Sequence, residues 1–156
     1  HDPVIPKNAV LFRALDYGLD MTSCLWCAAD EKGNVTVYRE LNEKGLILSE
    51  AAKKIIAMTP KNERIRYTVA SPDLWNRRQD SGLSGFEIMQ RTPGMPPMIA
   101  ADDRRIPGWR VVREYLSESE ASPRLFISER CPELIRCMSA LLCDPDRPED
   151  ASGEPE

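Results

Sequence analysis

Hydrophobic and polar positions alternate in short segments over the first third of the chain, a pattern typical of half-buried strands. Three such segments are rich in Val, Leu, Tyr or Trp: Val10 to Asp16, Ser23 to Ala29 and Val35 to Leu41. The last two are joined by the polar run Asp30 to Asn34, which contains a glycine. The pattern therefore predicts an antiparallel meander at the start of the fold.

Helical and extended patterns alternate in the rest of the chain. Apolar residues recur at helical spacing from Ala51 to Met58, with Ser49 as the predicted cap and Pro60 as the stop. Ile65 to Ala70 predicts a strand. The later predicted elements are a short helix, a strand, a helix, a strand and a last helix, at Phe86 to Arg91, Met98 to Ala101, Ile106 to Leu116, Arg124 to Ser128 and Cys131 to Leu142. This order predicts an α/β fold with a mixed sheet.

The length of 156 residues fits one compact domain. We assign it to residues 9–143, after a leader or linker remnant at residues 1–8 and before an acidic, mobile tail at residues 144–156. The tail holds six acids and one arginine, a charge of −5, so the net charge of −4 leaves the remainder at +1. This balance weakens steering toward DNA without excluding a local basic rim. No apolar run is long enough to cross a membrane.

Five cysteines, an odd number without a disulfide-type framework, indicate a reducing cytoplasm. Cys24 and Cys27 lie three apart on a predicted strand and so face opposite sides, which argues against a zinc or redox pair. Cys131, Cys137 and Cys143 are spread around a predicted helix by their six-residue spacing. We interpret these three as buried small hydrophobic residues.

Several kinds of chemistry are excluded by residues that the chain lacks. The one histidine, His1, is terminal, which removes histidine-dependent triads and histidine-based zinc sites. There is no glycine-rich phosphate loop for ATP hydrolysis, and Gly82 to Gly85 does not fit the nucleophile elbow of serine hydrolases. Carboxylate chemistry with a hard metal ion remains the most economical option.

Asp16 and Asp73 each follow an apolar strand. A carboxylate there is costly to leave unpaired, whereas two on adjacent strands can bind Mg²⁺ or Mn²⁺ through oxygen. On pattern alone, a turn or cap role competes with the metal role. Asp20 has two candidate roles. It is either a turn residue or a residue that supports the metal's ligands without contacting the metal.

Four blocks carry a resemblance to a known family. They are Leu15 to Asp20, Val37 to Leu41, Ser71 to Arg78 and Arg105 to Trp109, followed by Cys131 to Arg136 and an Asp-Pro-rich segment from Asp144. In this order, over nearly the whole chain, they resemble the nuclease domain of the large terminase subunit of tailed phages and prophages. The resemblance implies a ribonuclease H-like fold: a mixed central sheet, with three antiparallel strands and then parallel ones, flanked by helices.

The resemblance also implies a mechanism. Asp16 and Asp73 match the aspartates that bind metal after the first and fourth strands, so they are the predicted catalytic residues. Two ions, Mg²⁺ or Mn²⁺, would support hydrolysis of concatemeric viral DNA during packaging, one activating the attacking water and one stabilising the leaving 3′ oxygen. In the family a third aspartate follows the equivalent of residue 156, where this chain ends. Because Asp150, Glu154 and Glu156 do not match it, we expect this chain to be weakly active or inactive.

The implied substrate is double-stranded DNA, and the implied partners are an N-terminal ATPase domain, the small terminase subunit and the portal. Four arginines are the predicted phosphate contacts: Arg77, Arg78, Arg104 and Arg105. The alternative is that they are solvated or pair with Asp80, Asp102 and Asp103. We assign the aromatic residues to core packing instead of base stacking, namely Tyr17, Trp26, Tyr38, Trp75 and Trp109.

Other functions remain open at this point. A resolvase or transposase-type nuclease would use the same carboxylates, although the quoted blocks argue against it. A restriction-type nuclease needs an acidic-x-lysine tripeptide downstream of Asp73, and none occurs. The remaining alternative is a non-catalytic module that docks on DNA or on the portal.

Overall fold

The computed structural model describes residues 5–102 and 124–142. It contains six strands, three α-helices and one 3₁₀ turn in this part of the chain: β1 Val10–Asp16, β2 Thr22–Ala29, β3 Val35–Glu43, α1 Leu48–Ala57, β4 Ile65–Ala70, the turn Pro72–Trp75, α2 Gly85–Met89, β5 Met98–Ala100, β6 Leu125–Ile127 and α3 Pro132–Leu142. No helix in these residues is both long and apolar enough to span a bilayer. The predicted helix Ile106 to Leu116, the whole predicted tail at residues 144–156 and residues 1–4 lie outside the described residues.

The strands form one mixed sheet in the order β5-β4-β1-β2-β3-β6. β1, β2 and β3 pair antiparallel, whereas β4 pairs parallel to β1, β5 to β4 and β6 to β3. The predicted α/β fold class is therefore confirmed. Because β1 and β4 are parallel neighbours, both strands end at the same edge of the sheet.

The sheet buries apolar residues on both faces. The larger cluster lies between one face and α1, where Leu15, Trp26 and Ile55 are buried. The smaller cluster lies on the opposite face, where Cys27 and Val37 pack with Cys131 near the start of α3. Ile5, within the predicted leader, packs against the larger cluster. As predicted, Tyr17, Trp26, Tyr38 and Trp75 pack in or against that cluster, and Trp109 lies outside the described residues.

The cysteines are partly as predicted. Cys24 belongs to the larger cluster and Cys27 to the smaller one, so the two thiols face opposite sides. Burial raises the pKa of each to about 12, which leaves both thiols unreactive at neutral pH. Cys131 is buried, but the prediction was wrong for Cys137, which lies on the exposed face of α3. Cys143 is outside the described residues.

The start of α1 also differs from the prediction. The helix begins at Leu48 after the extended residue Ile47, so Ser49 lies inside the helix and is not its cap. The Ile47 N–H donates to the Glu50 carboxylate at 3.4 Å. The helix start thus has the Glu50 half of a capping box, and no side chain at the cap position accepts from the first turn.

A bulge in β4 sets which face its residues occupy. Leu11 pairs with Ile65 and Phe12 with Tyr67, so Arg66 is an extra residue in the ladder. Tyr67 then stacks on Phe12 with ring centroids 5.3 Å apart. Beyond the bulge, Thr68 accepts a hydrogen bond from Arg13 Nε at 3.0 Å.

Arg13 is a charged residue in the core, only 1% exposed. Besides Thr68, its guanidinium donates to Thr59 Oγ1 at 3.3 Å and to the Gly94 carbonyl at 2.7 Å. Burial lowers the pKa of Arg13, but guanidinium stays protonated in proteins. Its bonds therefore connect β1, β4, the end of α1 and the loop before β5.

A second bulge, in β3, brings two neighbouring side chains to one carboxylate. Trp26 pairs with Arg39 and Cys27 with Val37, which leaves Tyr38 as the extra residue. Tyr38 Oη donates to Glu63 Oε1 at 2.6 Å, and Arg39 donates to both Glu63 oxygens at 3.0 and 2.8 Å. The Arg39 guanidinium also lies 5.5 Å from the centre of the Trp26 ring.

We predict that Thr59→Val lowers the free energy of unfolding by about 1–3 kcal/mol. Thr59 Oγ1 accepts from Trp26 Nε1 at 2.9 Å and from Arg13, so valine would leave two donors without an acceptor. Urea unfolding measures the effect, and Thr59→Ser, which keeps the hydroxyl, is the matched control. Equal stability of the valine variant and the wild type would contradict this account of the network.

A second prediction concerns pH. Burial alone would raise the pKa of Glu63, but hydrogen bonds from Arg39 and Tyr38 outweigh it and hold this pKa below the ordinary 4.5. A carboxylate with a depressed folded pKa stabilises the fold above its unfolded pKa and loses that effect as pH falls through the folded value. The stability advantage of wild type over Glu63→Gln should thus be full at neutral pH and shrink below pH 4.5. If the difference in unfolding free energy between wild type and Glu63→Gln stayed constant with pH, the Glu63 ion pair would be excluded as the source of that difference.

Candidate metal centre

The two predicted metal ligands lie at one edge of the sheet. Asp16 is the last residue of β1, and Asp73 is in the 3₁₀ turn that follows β4. The parallel ladder pairs Leu15 with Ala70, so Asp16 lies one residue and Asp73 three residues beyond the same pair. Both side chains are exposed.

A backbone hydrogen bond and the packing of Leu74 hold the turn that carries Asp73. Pro72 occupies its first position, where a missing N–H is tolerated, and the Leu74 N–H donates to the Ser71 carbonyl at 3.0 Å. The Leu74 side chain is 7% exposed and packs under Gly85, the first residue of α2. A Cβ at Gly85 would lie 2.7 Å from Leu74 Cδ1, so α2 can approach this turn because residue 85 has no side chain.

The loop after Asp16 is held by the loop that precedes α1. Tyr17 Oη donates to the Leu46 carbonyl at 2.9 Å, and the Gly45 N–H donates to the Leu19 carbonyl at 2.9 Å. Burial raises the pKa of Tyr17, although the nearby Arg78 partly opposes the shift. Tyr17 therefore remains a neutral hydrogen-bond donor at physiological pH.

A pocket of about 220 Å³ opens beside this edge. Its polar lining comes from Asp73, Arg78, Ser71 and Tyr17, and Asp16 is not part of the lining. Leu48 and Leu74 form part of the apolar floor. The pocket thus partly encloses Asp73, but not Asp16, and its lining includes one positively charged side chain, Arg78.

The predicted arginines behave differently from one another. Arg78 pairs with Asp80 at 3.2 Å, as the alternative had it, although both side chains remain exposed, so the pair contributes little to stability. Arg77 is exposed and forms a β-bridge with Ser84, which closes the loop after the turn. Arg104 and Arg105 lie outside the described residues, and so does Asp103.

The carboxylates of Asp16 and Asp73 are available for a ligand. Among residues 5–102 and 124–142, neither has a hydrogen-bond or ion-pair partner. The same residues contain no group of three or more His, Cys, Asp and Glu side chains placed to hold a metal ion. The described part of the chain thus supplies two oxygen-bearing side chains at this edge.

Comparisons with known proteins give matches of structure alone. The nuclease domain of the g2p large terminase of bacteriophage SPP1, a structure with bound Mn, superposes with a TM-score of 0.64 at 16% identity, covering 97% of this chain and 82% of that one. The P22 large terminase nuclease domain gives a TM-score of 0.60 at 13% identity, covering 88% and 71%. The chain has the fold of a large terminase nuclease domain. No protein-family model and no curated protein sequence matches it.

The terminase nuclease fold agrees with the order of strands that the sequence blocks implied. At 16% and 13% identity, the likeness concerns the path of the backbone. Sequence reasoning missed the packing of Gly85 on Leu74. The one local signal in this region was Ser84, which indicates where α2 begins. The Ser84 hydroxyl accepts from the Glu87 N–H at 3.1 Å, a serine cap that marks the start of α2.

We predict that Gly85→Ala distorts the turn carrying Asp73. The added methyl group would meet Leu74 at 2.7 Å, and overpacking of this kind costs about 1–3 kcal/mol, more than the roughly 1 kcal/mol that alanine gains over glycine in a helix. Nuclear magnetic resonance should show shifted amides at Asp73 and Leu74, and Leu74→Val should partly restore the stability of the Gly85→Ala chain. Unchanged Asp73 and Leu74 amides would refute this packing argument.

Proposed function

We propose that this chain is a metal-dependent DNA endonuclease domain that works in viral genome packaging. The observation that carries the proposal is the position of Asp16 and Asp73: two exposed carboxylates without partners in the described residues, at the ends of adjacent parallel strands. The terminase nuclease fold, and the Mn bound to the SPP1 domain, support the same assignment. The proposed substrate is double-stranded DNA.

The residues at this edge fit a hard divalent cation. Carboxylate oxygens are the ligands that Mg²⁺ and Mn²⁺ prefer, and two carboxylates bring at most four oxygens, so water or phosphate oxygens would complete the six of an octahedral site. A bound cation would neutralise the scissile phosphate and promote attack by water. Asp16 and Asp73 would hold it there, and the packed turn above Leu74 keeps the second carboxylate in position.

Neighbouring residues have supporting roles. Arg78 lines the pocket beside Asp73, and Arg77 follows the same turn, which supports the proposal that both contact phosphates of the duplex next to the cut. Such contacts do not distinguish bases, and binding should weaken with salt. We also propose that the domain acts in the cytoplasm of the host. Its proposed partners there are an ATPase domain, the small terminase subunit and the portal.

A metal titration tests the site separately from catalysis. Adding Mn²⁺ to the ¹⁵N-labelled chain should selectively broaden the amide signals of Tyr17, Asp73 and Leu74, because broadening by a paramagnetic ion falls steeply with distance. Asp16→Asn and Asp73→Asn should each abolish this pattern. Glu31→Gln, which removes an exposed carboxylate in the β2–β3 turn at the other end of the sheet, is the matched control and should leave it intact.

Plasmid nicking tests the reaction. Supercoiled DNA incubated with Mn²⁺ should be nicked slowly by the wild type and the Glu31→Gln control, in line with the weak activity expected from the sequence. Either aspartate variant should abolish the cutting that the wild type shows. Broadening at the edge without nicking would mean that the chain binds metal but does not cleave by itself. Broadening elsewhere, or nicking that survives both substitutions, would rule out this assignment of the site.

A further inference from the structure

The opposite edge of the sheet carries a second polar feature. Where β1 and β4 begin, a groove of about 520 Å³ is lined by Lys7, Asn8, Asn62, Arg64 and Arg66, and none of the groove's lining residues is acidic. We call it the basic groove. Val10, which lines the groove, and Asp16 are the first and last residues of β1, a span of about 20 Å at 3.3 Å per residue.

The backbone explains how these cations come together. Arg66 is the bulged residue of β4, and the two residues flanking it, Ile65 and Tyr67, pair with consecutive residues of β1. A bulge of this kind redirects a side chain relative to a regular strand. Lys7, far away in sequence, is brought alongside because the segment before β1 runs past the start of β4.

Nearby acids do not neutralise the groove. Glu63, between Asn62 and Arg64 in sequence, is bound through both oxygens by Arg39 and Tyr38. Glu31 accepts a hydrogen bond from the Asn8 side chain at the rim. Within the described ranges, Lys7, Arg64 and Arg66 have no acidic partner within 4.0 Å and are exposed. Three unpaired cations around one groove attract an anion with several charges.

The lining indicates which kind of anion fits. Arginine, lysine and asparagine side chains are those that contact nucleic-acid phosphates, whereas a protein partner is usually anchored by buried aromatic or large apolar groups. The apolar residues of the groove are small or medium and already half-buried: Ala9, Val10, Leu11 and Ile65. We propose that the basic groove binds the phosphate backbone of a nucleic acid, at a place distinct from the candidate metal centre and without a metal ion.

This inference does not rest on the proposed endonuclease function. The groove residues lie at the far end of β1 and β4 from the two aspartates, and their charges need no divalent ion. A duplex held there would be a stretch of nucleic acid other than the one at Asp16 and Asp73. Its binding can therefore be measured in EDTA, where metal-dependent cleavage does not occur.

The test is binding of a fluorescently labelled 20-base-pair DNA duplex, followed by anisotropy in EDTA over a series of salt concentrations. The groove variant is Arg64→Gln with Arg66→Gln, and the matched control is Lys53→Gln with Arg91→Gln, two exposed cations outside the groove. We expect the groove variant to raise Kd about tenfold and to lower the slope of log Kd against log salt by about 1.8, for two lost phosphate contacts. The control should match the wild type.

A second measurement does not depend on variants. Unlabelled duplex added to the ¹⁵N-labelled wild type should shift amides at Lys7 to Leu11 and at Asn62 to Arg66. Equal effects of the two double variants would mean that only net charge matters, and no effect of either would mean that the groove does not bind DNA. Both results overturn the proposal. So would a polyglutamate peptide that shifts the same amides at lower concentration than the duplex, since the occupant would then be an acidic protein.

Discussion

The parallel pairing of β1 with β4 is the constraint on which the rest of the molecule depends. The two strands are far apart in sequence, and the Arg13–Thr68 hydrogen bond that joins them spans 55 residues. Because a buried guanidinium without its acceptors is costly, Arg13 is satisfied only when β4, the end of α1 and the loop at Gly94 are all in place. The edge that carries Asp16 and Asp73 is thus coupled to the folding of the main core.

The same pairing gives the sheet two ends of opposite character. Two unpaired carboxylates lie where β1 and β4 end, and three unpaired cations lie where the strands begin, within the part of the chain that the structure describes. The net charge of −4 does not reveal this separation, because it adds both ends of the sheet to the −5 of residues 144–156. A polyanion and a divalent cation would therefore be attracted to different ends of one sheet, which lie more than two Debye lengths apart in physiological salt.

Sequence patterns predicted the strands well because alternation with a period of two is a local signal. The bounds of β1 and β4 were predicted to the residue, and with them the positions of Asp16 and Asp73 at strand ends. Local patterns could not reveal what depends on pairing: the bulges at Tyr38 and Arg66, the burial of Arg13 and the approach of α2 to Leu74 at Gly85. Lys7 and Arg64 meet only after the strands pair, so the basic groove was missed for the same reason.

The central claim is that the side-chain oxygens of Asp16 and Asp73 together bind a divalent ion. An anomalous-difference map from crystals soaked in Mn²⁺ tests it most directly. The account predicts one peak or a close pair, with oxygen atoms of both aspartates about 2.1 Å from manganese. A peak bound elsewhere, or two aspartates clearly resolved with no manganese between them at high concentration, would contradict it.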